Sequence, residues 1–464
     1  MPIVIKGGKI VTNADIYCAD LVIENGKIVS IGRNISLEDG NEIDATGRYI
    51  FPGAIDPHTH FDLEAGSTIT ADDFESGTKA AVMGGTTTIV DFVNHVRGER
   101  LRDALNNWNR KAKGNAYCDY GFHMTIAEWN EDISDEMKDM VEEGIPSFKM
   151  YMAYKKTLQV DDATILKALR RSTEIGGLIA FHCENGDMID FLVEREKRKG
   201  HFSPYYHLVT RPVEVEDEAI SRLLSLGKIA EAPVYIVHLS SKKGLEKATR
   251  AKSEGQKVYI ETCPQYLLLD DSYYGEVGND DFEAAKYVLS PPLRKKEDID
   301  SLWNGLSNNY IDVIATDHCS FNYNGQKSLG KEDFSKIPNG IPGVEHRLSL
   351  MYTYGVLTGK ISLNQMVALT STNAAKIYGM FPQKGTISVG SDADIVIWNP
   401  NLETTITASN QNQNVDYTPY EGFKIVGGAE HVFLRGQQVV KNFKLVEENP
   451  LGKFIRRHRC QLCK

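Results

Sequence analysis

No run of apolar residues in this 464-residue chain approaches the ~18 needed to cross a membrane, which argues against a membrane partner. The opening Met1-Pro2-Ile3-Val4-Ile5-Lys6 lacks the charged start, long apolar core and cleavage site of a secretion signal, and reads as a β-strand. Cysteine is scarce: the seven are scattered, odd in number, and sit in a chain too large to need covalent staples. A disulfide framework is thereby excluded, and reduced thiols in the cytoplasm are expected. Excess positive charge is also missing. The net charge is −11, from 52 Lys and Arg against 63 Asp and Glu, which argues against a nucleic-acid partner. Cys460 and Cys463 form a lone CxxC beside His458. Without a second pair it reads as a mobile tail in preference to a zinc knuckle.

The length favours a large domain plus a smaller one. Residues 1–52 carry β-strand patterns, including two strands over 20–31 around Asn25-Gly26, a dipeptide that accepts the positive φ values of a tight hairpin. Over 53–380 short apolar runs alternate with helical segments. Candidate strands are 53–58, 86–92, 118–126, 146–152, 177–182, 233–239, 257–262 and 311–316. Helices are predicted at 72–83, 162–175 and 241–254, each stopped by glycine, and from the capping box at Ser362 to Tyr378. Eight strands alternating with helices fit a closed parallel (β/α)₈ TIM-like barrel better than an open sheet, although the pattern alone admits both. From 381 to 464 the chain turns β again, so the two ends are expected to complete one small β-sandwich. The stretch 404–414 is polar and of low complexity.

Chemistry concentrates where the predicted strands end. Asp56-Pro57-His58-Thr59-His60 closes the first, and residues two apart on a strand share a face, so His58 and His60 present two imidazoles together. Alone, that pair does not decide between metal ligands and a surface pair. Strand four contains Lys149 within Ser147-Phe148-Lys149-Met150-Tyr151. Strand five ends Phe181-His182-Cys183-Glu184, strand six Val237-His238, and strand eight Thr316-Asp317-His318. Barrel strands are covered on both sides and should be apolar. Five that finish in or contain proton- or metal-binding residues mark the end at which barrel active sites lie.

A lysine on a strand ordinarily snorkels to water, and a buried barrel strand offers no such exit. Burial lowers its pKa. The neutral amine can then add carbon dioxide and become a carbamate, whose two oxygens can bridge cations roughly 3.5–4 Å apart. His58, His60 and Asp317 would hold one ion, and His182 and His238 the other. Nitrogen and carboxylate ligands suit zinc, with manganese, cobalt or iron as alternatives. Two such ions would activate a water, and Asp317 would carry its proton to the leaving nitrogen; its plainer alternative is a pure ligand.

These segments resemble the cyclic amidohydrolases of the hydantoinase and dihydropyrimidinase family. The likeness runs through Phe51-Pro52-Gly53 to His60, Gly84-Gly85-Thr86-Thr87-Thr88, Ser147 to Tyr154 and Glu261-Thr262-Cys263-Pro264-Gln265-Tyr266. It continues in Leu289-Ser290-Pro291-Pro292-Leu293-Arg294, Ala315-Thr316-Asp317-His318, Pro338-Asn339-Gly340 and Gly390-Ser391-Asp392-Ala393-Asp394. The resemblance implies a barrel with a sandwich, two Zn²⁺ ions, a carboxylated Lys149, a homotetramer, and hydrolysis of a cyclic amide or ureide to an N-carbamoyl amino acid. It assigns Tyr154 to the substrate and its developing oxyanion, and Ser290 and Asn339 to the ring's amide edge.

The chain departs from the family in two places. Phe61-Asp62-Leu63-Glu64-Ala65-Gly66-Ser67 replaces a Pro-Phe-Gly-Gly-like loop, is expected to line the pocket for the exocyclic group, and looks closer to the D-phenylhydantoinase branch. Cys183 stands where alanine or proline is commoner and is assigned to packing. Two other readings remain. An allantoinase or dihydroorotase is one; an acidic substrate would want an arginine, for which Arg294 is the candidate. The other is a metal-free scaffold of this fold, whose members lack the histidine and lysine set kept here.

Overall fold

The computed structural model describes residues 2–37, 40–276 and 281–460. Eight strands form one parallel sheet in sequence order: Ala54–Thr59, Thr86–Val93, Asp119–Thr125, Ser147–Tyr151, Leu178–His182, Val234–Ile236, Val258–Thr262 and Val313–Ile314. The last is shorter than the run 311–316 suggests, because side chains replace part of its ladder. Ile260 N–H donates to the Asp312 carboxylate at 2.7 Å, and Thr316 N–H to Asp56 Oδ1 at 3.2 Å.

Side chains also close the barrel. Thr59 and His318 form a single parallel bridge between its ends. The buried Arg347 donates from Nη1 to Ile55 O at 2.8 Å and Ile314 O at 2.9 Å, and so spans the first and last strands. Thr316 Oγ1 donates to Asp56 Oδ2 at 2.7 Å beside it.

The helices begin and end as their caps dictate. Phe74–Met83 starts two residues later than the pattern suggests, because Asp73 and Ser76 make the capping box. Asp72 is instead buried, and accepts His318 Nε2 at 3.0 Å and Ser320 Oγ at 2.8 Å. Asp162–Ile175 ends on Gly176 in the left-handed conformation, and Lys242–Ser253 is capped by Ser241. Beyond the capping box at Ser362, Leu363–Val367 and Asn373–Ile377 are joined by a wider π-turn, Ala368–Thr372. There Ser371 Oγ donates to Gly53 O and Thr372 Oγ1 to Gly385 O.

Both chain ends contribute to a second, strand-rich layer. A seven-stranded sheet places Lys424–Leu434 and Ile395–Thr405 beside Tyr49–Pro52 and Lys9–Val11. A four-stranded sheet packs on it through Ile5, Leu21, Ile28, Ile50, Ile395 and Phe433. The hairpin turn at Asn25 and Gly26 has φ of 50° and 80°, as the dipeptide requires.

A buried ionic cluster joins the layers. Lys384 Nζ lies 2.6 Å from Asp119 on the third barrel strand, 2.5 Å from Asp394 and 3.2 Å from Asp392, and Arg435 also pairs with Asp119. The three aspartates are close enough to suggest a metal cage, but Lys384 already supplies the cation. Replacing it with methionine would leave the buried Asp394 without a cationic partner, while Asp119 keeps Arg435 and Asp392 keeps Lys27, and should destabilise the protein by ~3–5 kcal/mol. Thermal unfolding checks this; a Tm equal to wild type would show that the cluster carries no stability.

Up to Cys460 the tail is held by backbone hydrogen bonds. It straps the barrel end opposite the mouth. Ile455 N–H donates to Tyr120 O, Arg457 N–H to Gly144 O and Cys460 N–H to Gly176 O at 2.8–3.0 Å, since this extended segment satisfies its backbone on the start of the third strand and on the connections preceding the fourth and fifth. Cys463, the other half of the CxxC, lies outside the described residues. No helix among the described residues is long and apolar enough to cross a membrane.

Candidate metal centre

Parallel strands deliver their C-terminal residues to one rim, and the structure gathers His58, His60, Lys149, His182, His238 and Asp317 there. Ring centroids run from His60 to His58 (5.3 Å), His58 to His238 (5.5 Å), His238 to His182 (4.7 Å) and His182 to Tyr154 (5.2 Å). Phe92 forms the floor, 4.6 Å from His58 and 5.0 Å from His60. Lys149 Nζ stands over the same ring at 5.0 Å and over Tyr151 at 5.1 Å.

Hydrogen bonds fix which imidazole nitrogens face inward. His58 Nδ1 lies 2.6 Å from Glu261 Oε1 and its Nε2 3.0 Å from Asp317 Oδ1, so the ring sits between two carboxylates. His60 Nε2 faces the same oxygen at 3.3 Å. His182 Nε2 donates to Glu184 Oε2 at 2.8 Å, which turns its Nδ1 lone pair toward His238 Nε2 at 3.0 Å. With a ring proton on Nε2, His58 and His60 donate to Asp317 Oδ1 and His238 donates to His182 Nδ1, which leaves the Nδ1 atoms of His60 and His238 as acceptors. His60 Nδ1 and His238 Nδ1 are buried without a hydrogen-bond partner.

The electrostatics follow the same geometry. Burial works against a charged His58, but Asp317 and Glu261 outweigh it and lift the ring to about 9. Burial pulls His60 to about 4 and holds His182 and His238 below the ordinary imidazole value. Burial would raise Asp317, yet His58 and His60 keep it well below the usual carboxylate range. Burial draws Lys149 down to about 8 against Asp317 and Glu261, so about a tenth of the amine is neutral at pH 7.

Tyr154, His238 and Asp317 adopt left-handed backbone, with φ of 65°, 37° and 52°. Non-glycine residues adopt this at an energetic cost, and such residues cluster at functional sites. Burial pushes the Tyr154 phenol up to about 12, so it stays a donor, and both Ser290 and Asn339 lie beside it. Ser290 Oγ itself is buried and meets no partner at hydrogen-bonding geometry.

Glu261 and Glu184 are the functional side chains that the sequence reading passed over. Glu261 also accepts Tyr235 Oη at 2.9 Å and His238 N–H at 3.2 Å, so a single carboxylate orients two of the histidines. Its signal was available: a carboxylate inside the apolar strand Val258–Thr262 is as anomalous as Lys149 in strand four.

Arg294 does not face a substrate. It is buried, donates to Ser240 Oγ at 3.0 Å and Arg211 O at 2.6 Å, and faces Glu216 at 3.8 Å. Phe61 is likewise no pocket residue. It packs edge-on against His318 and Phe74 while its N–H donates to Asp91, leaving Glu64, Gly66 and Ser67 exposed. Cys183 is buried, its Sγ 3.5 Å from Phe181 O.

Residues 49–424 match the amidohydrolase family. The chain is 48% identical to a D-hydantoinase of Geobacillus stearothermophilus, across 98% of this chain and 96% of that one. It is 43% identical to a D-phenylhydantoinase of Escherichia coli (strain SE11), across 98% of each. The crystal structure of dihydropyrimidinase from Brevibacillus agri NCHU1002 superposes with a TM-score of 0.97 at 46% identity, covering 99% of both chains.

Proposed function

The chain belongs to the amidohydrolase family, and from that premise we propose that it opens cyclic amide or ureide rings, hydantoins or dihydropyrimidines, to N-carbamoyl amino acids. The observation that carries this reading is the convergence of five barrel strands on four imidazoles, the Lys149 amine and the Asp317 carboxylate. His58, His60 and Asp317 offer three ligand atoms within 4.8 Å of one another, and the donor set suits divalent cations. These three would hold one ion and His182 with His238 a second, both zinc, with Lys149 as its carbamate contributing to both. That group forms when the neutral amine adds carbon dioxide and releases a proton. When bound, such ions supply Lewis acidity to the substrate carbonyl and acidify the attacking water.

The protein's own groups do the rest. Asp317 directs Oδ1 at His58 and His60, which leaves Oδ2 to take the water's proton and return it to the leaving nitrogen. Tyr154 donates to the oxygen on which charge develops. Ser290 and Asn339, next to that phenol, read the ring's amide edge.

The buried engagement of Arg294 with Glu216 removes the arginine that a dihydroorotase reading needs. The D-phenylhydantoinase among the relatives supports 5-aryl hydantoins as a substrate class, with the exposed part of the loop over 64–67 beside the exocyclic group. A homotetramer in the cytoplasm completes the proposal; reduced thiols at Cys18, Cys118, Cys183, Cys263 and Cys319 support the compartment.

The test is a hydrolysis screen of zinc-loaded protein over dihydrouracil, hydantoin, 5-phenylhydantoin and allantoin. Ring opening that disappears on chelation and returns with metal is expected. Failure on every ring, or turnover that survives complete metal removal, sinks the reading.

Glu261→Gln should weaken metal binding or activity about 10–100-fold, as loss of the carboxylate behind a ligating histidine does. A chelator competition titration checks it. An unchanged affinity with unchanged turnover would mean that His58 needs no such support.

A further inference from the structure

Lys327 is a wholly buried amine that none of the chemistry above uses, and burial pulls it down to about 7. It opens the short turn Lys327–Gly330 and donates to three backbone carbonyls: Val288 O at 2.8 Å, Pro338 O at 2.9 Å and Gly340 O at 2.7 Å. An ammonium has three N–H donors, and here all three are matched. The acceptors are not scattered. Pro338 and Gly340 flank Asn339 on either side, and Val288 lies two residues before Ser290.

Other contacts point the same way. Gly340 N–H donates to Val288 O at 3.1 Å, which stitches the two loops directly. The buried His207 donates from Nε2 to Leu289 O at 2.7 Å, so consecutive carbonyls leading to Ser290 are both held. Gly340 has φ of 142°, and a Cβ there would come within 2.4 Å of Cys319 O, two residues past Asp317. The two loops are thereby locked to each other and to the end of the eighth strand.

In its charged form this amine is surrounded only by neutral carbonyls, a costly way to hold a loop. It fits a place where two loops must keep a fixed separation. We propose that Lys327 is a positioning residue for substrate recognition, setting the spacing between Ser290 and Asn339 so that together they read one amide edge. The inference rests on the ring-opening activity proposed above.

The experiment is Lys327→Met, assayed on the ring that wild type opens best, alone and in a Ser290→Ala/Asn339→Ala background. Misplacement by about 1 Å can lower kcat/KM about 100-fold, and a loss of that size is expected. Most of it should fall in KM, because these contacts hold the ground state and the transition state alike. Metal content should stay at the wild-type level. In the double-alanine background the substitution should add little, since its targets are gone. Where Lys327→Met does not fold, Lys327→Gln, which retains two N–H donors, carries the same cycle.

A KM within about two-fold of wild type, a loss that multiplies fully with the double alanine change, or a fall in bound metal in place of a rise in KM would each overturn the assignment. If wild type opens no ring at all, the activity reading fails and this inference falls with it. If wild type is active and Lys327→Met is normal, only this inference fails.

Discussion

Lys149→Ala is expected to lower kcat/KM by about three orders of magnitude or more, which is the several kcal/mol that Lewis-acid stabilisation supplies at tenfold per ~1.36 kcal/mol. The side chain is buried, with its amine over Phe92 and Tyr151 and no path to water. An ammonium there would oppose the cations that the histidines and Asp317 are arranged to bind. A carbamate reverses the sign of that charge and adds two oxygen ligands. The alanine variant should therefore bind fewer than two metals per chain, measured by elemental analysis. Lys149→Met, closer in volume, separates loss of the ligand from a packing defect. Native mass spectrometry of wild type should detect the added carboxyl group. An alanine variant with two metals and normal turnover would disprove the carbamate.

Asp317→Asn should reduce kcat by about 10⁴-fold, the upper end of what a positioned acid–base group contributes. Asparagine keeps an oxygen to face His58 and His60 but cannot take a proton from water or return one to nitrogen. The neutral amide also removes the charge that sustains His58 near 9. The comparison that decides its role is turnover at saturating metal. If excess zinc restores a normal kcat, Asp317 is a ligand only. If occupancy is complete and turnover remains low, its carboxylate carries the proton. The left-handed backbone at Asp317 argues that its position is held against strain, and Arg347, Thr316 and Asp56 form the seam beneath it.

Much of this architecture was legible before any coordinate. Buried barrel strands must be apolar, so His58, Lys149, His182, His238 and Asp317 stood out from their surroundings, and the caps at Ser241 and Ser362 marked helix starts by local chemistry alone. Glu261 was visible on the same logic and was passed over because it ligates nothing itself. Asp72 read as a helix start because an acidic residue before a periodic run usually caps it; tertiary contacts claimed its carboxylate for His318, Ser320 and the backbone of Asn414. That last contact also shows that part of the polar stretch 404–414 is an ordered brace on the barrel mouth. The tail through Cys460 carried no periodic signal, since an extended strap satisfies its backbone on distant loops.

Residue type and spacing along the chain therefore determined the alternation of strands and helices and the identities of the chemically active side chains, because those depend on burial and local hydrogen bonding. Only the folded chain decided which imidazole nitrogen faces inward, that Arg294 is neutralised within the wall, and that Lys327 ties together the loops bearing Ser290 and Asn339. Those properties depend on contacts between residues far apart in sequence, where a difference of one ångström or one proton changes what a group can do.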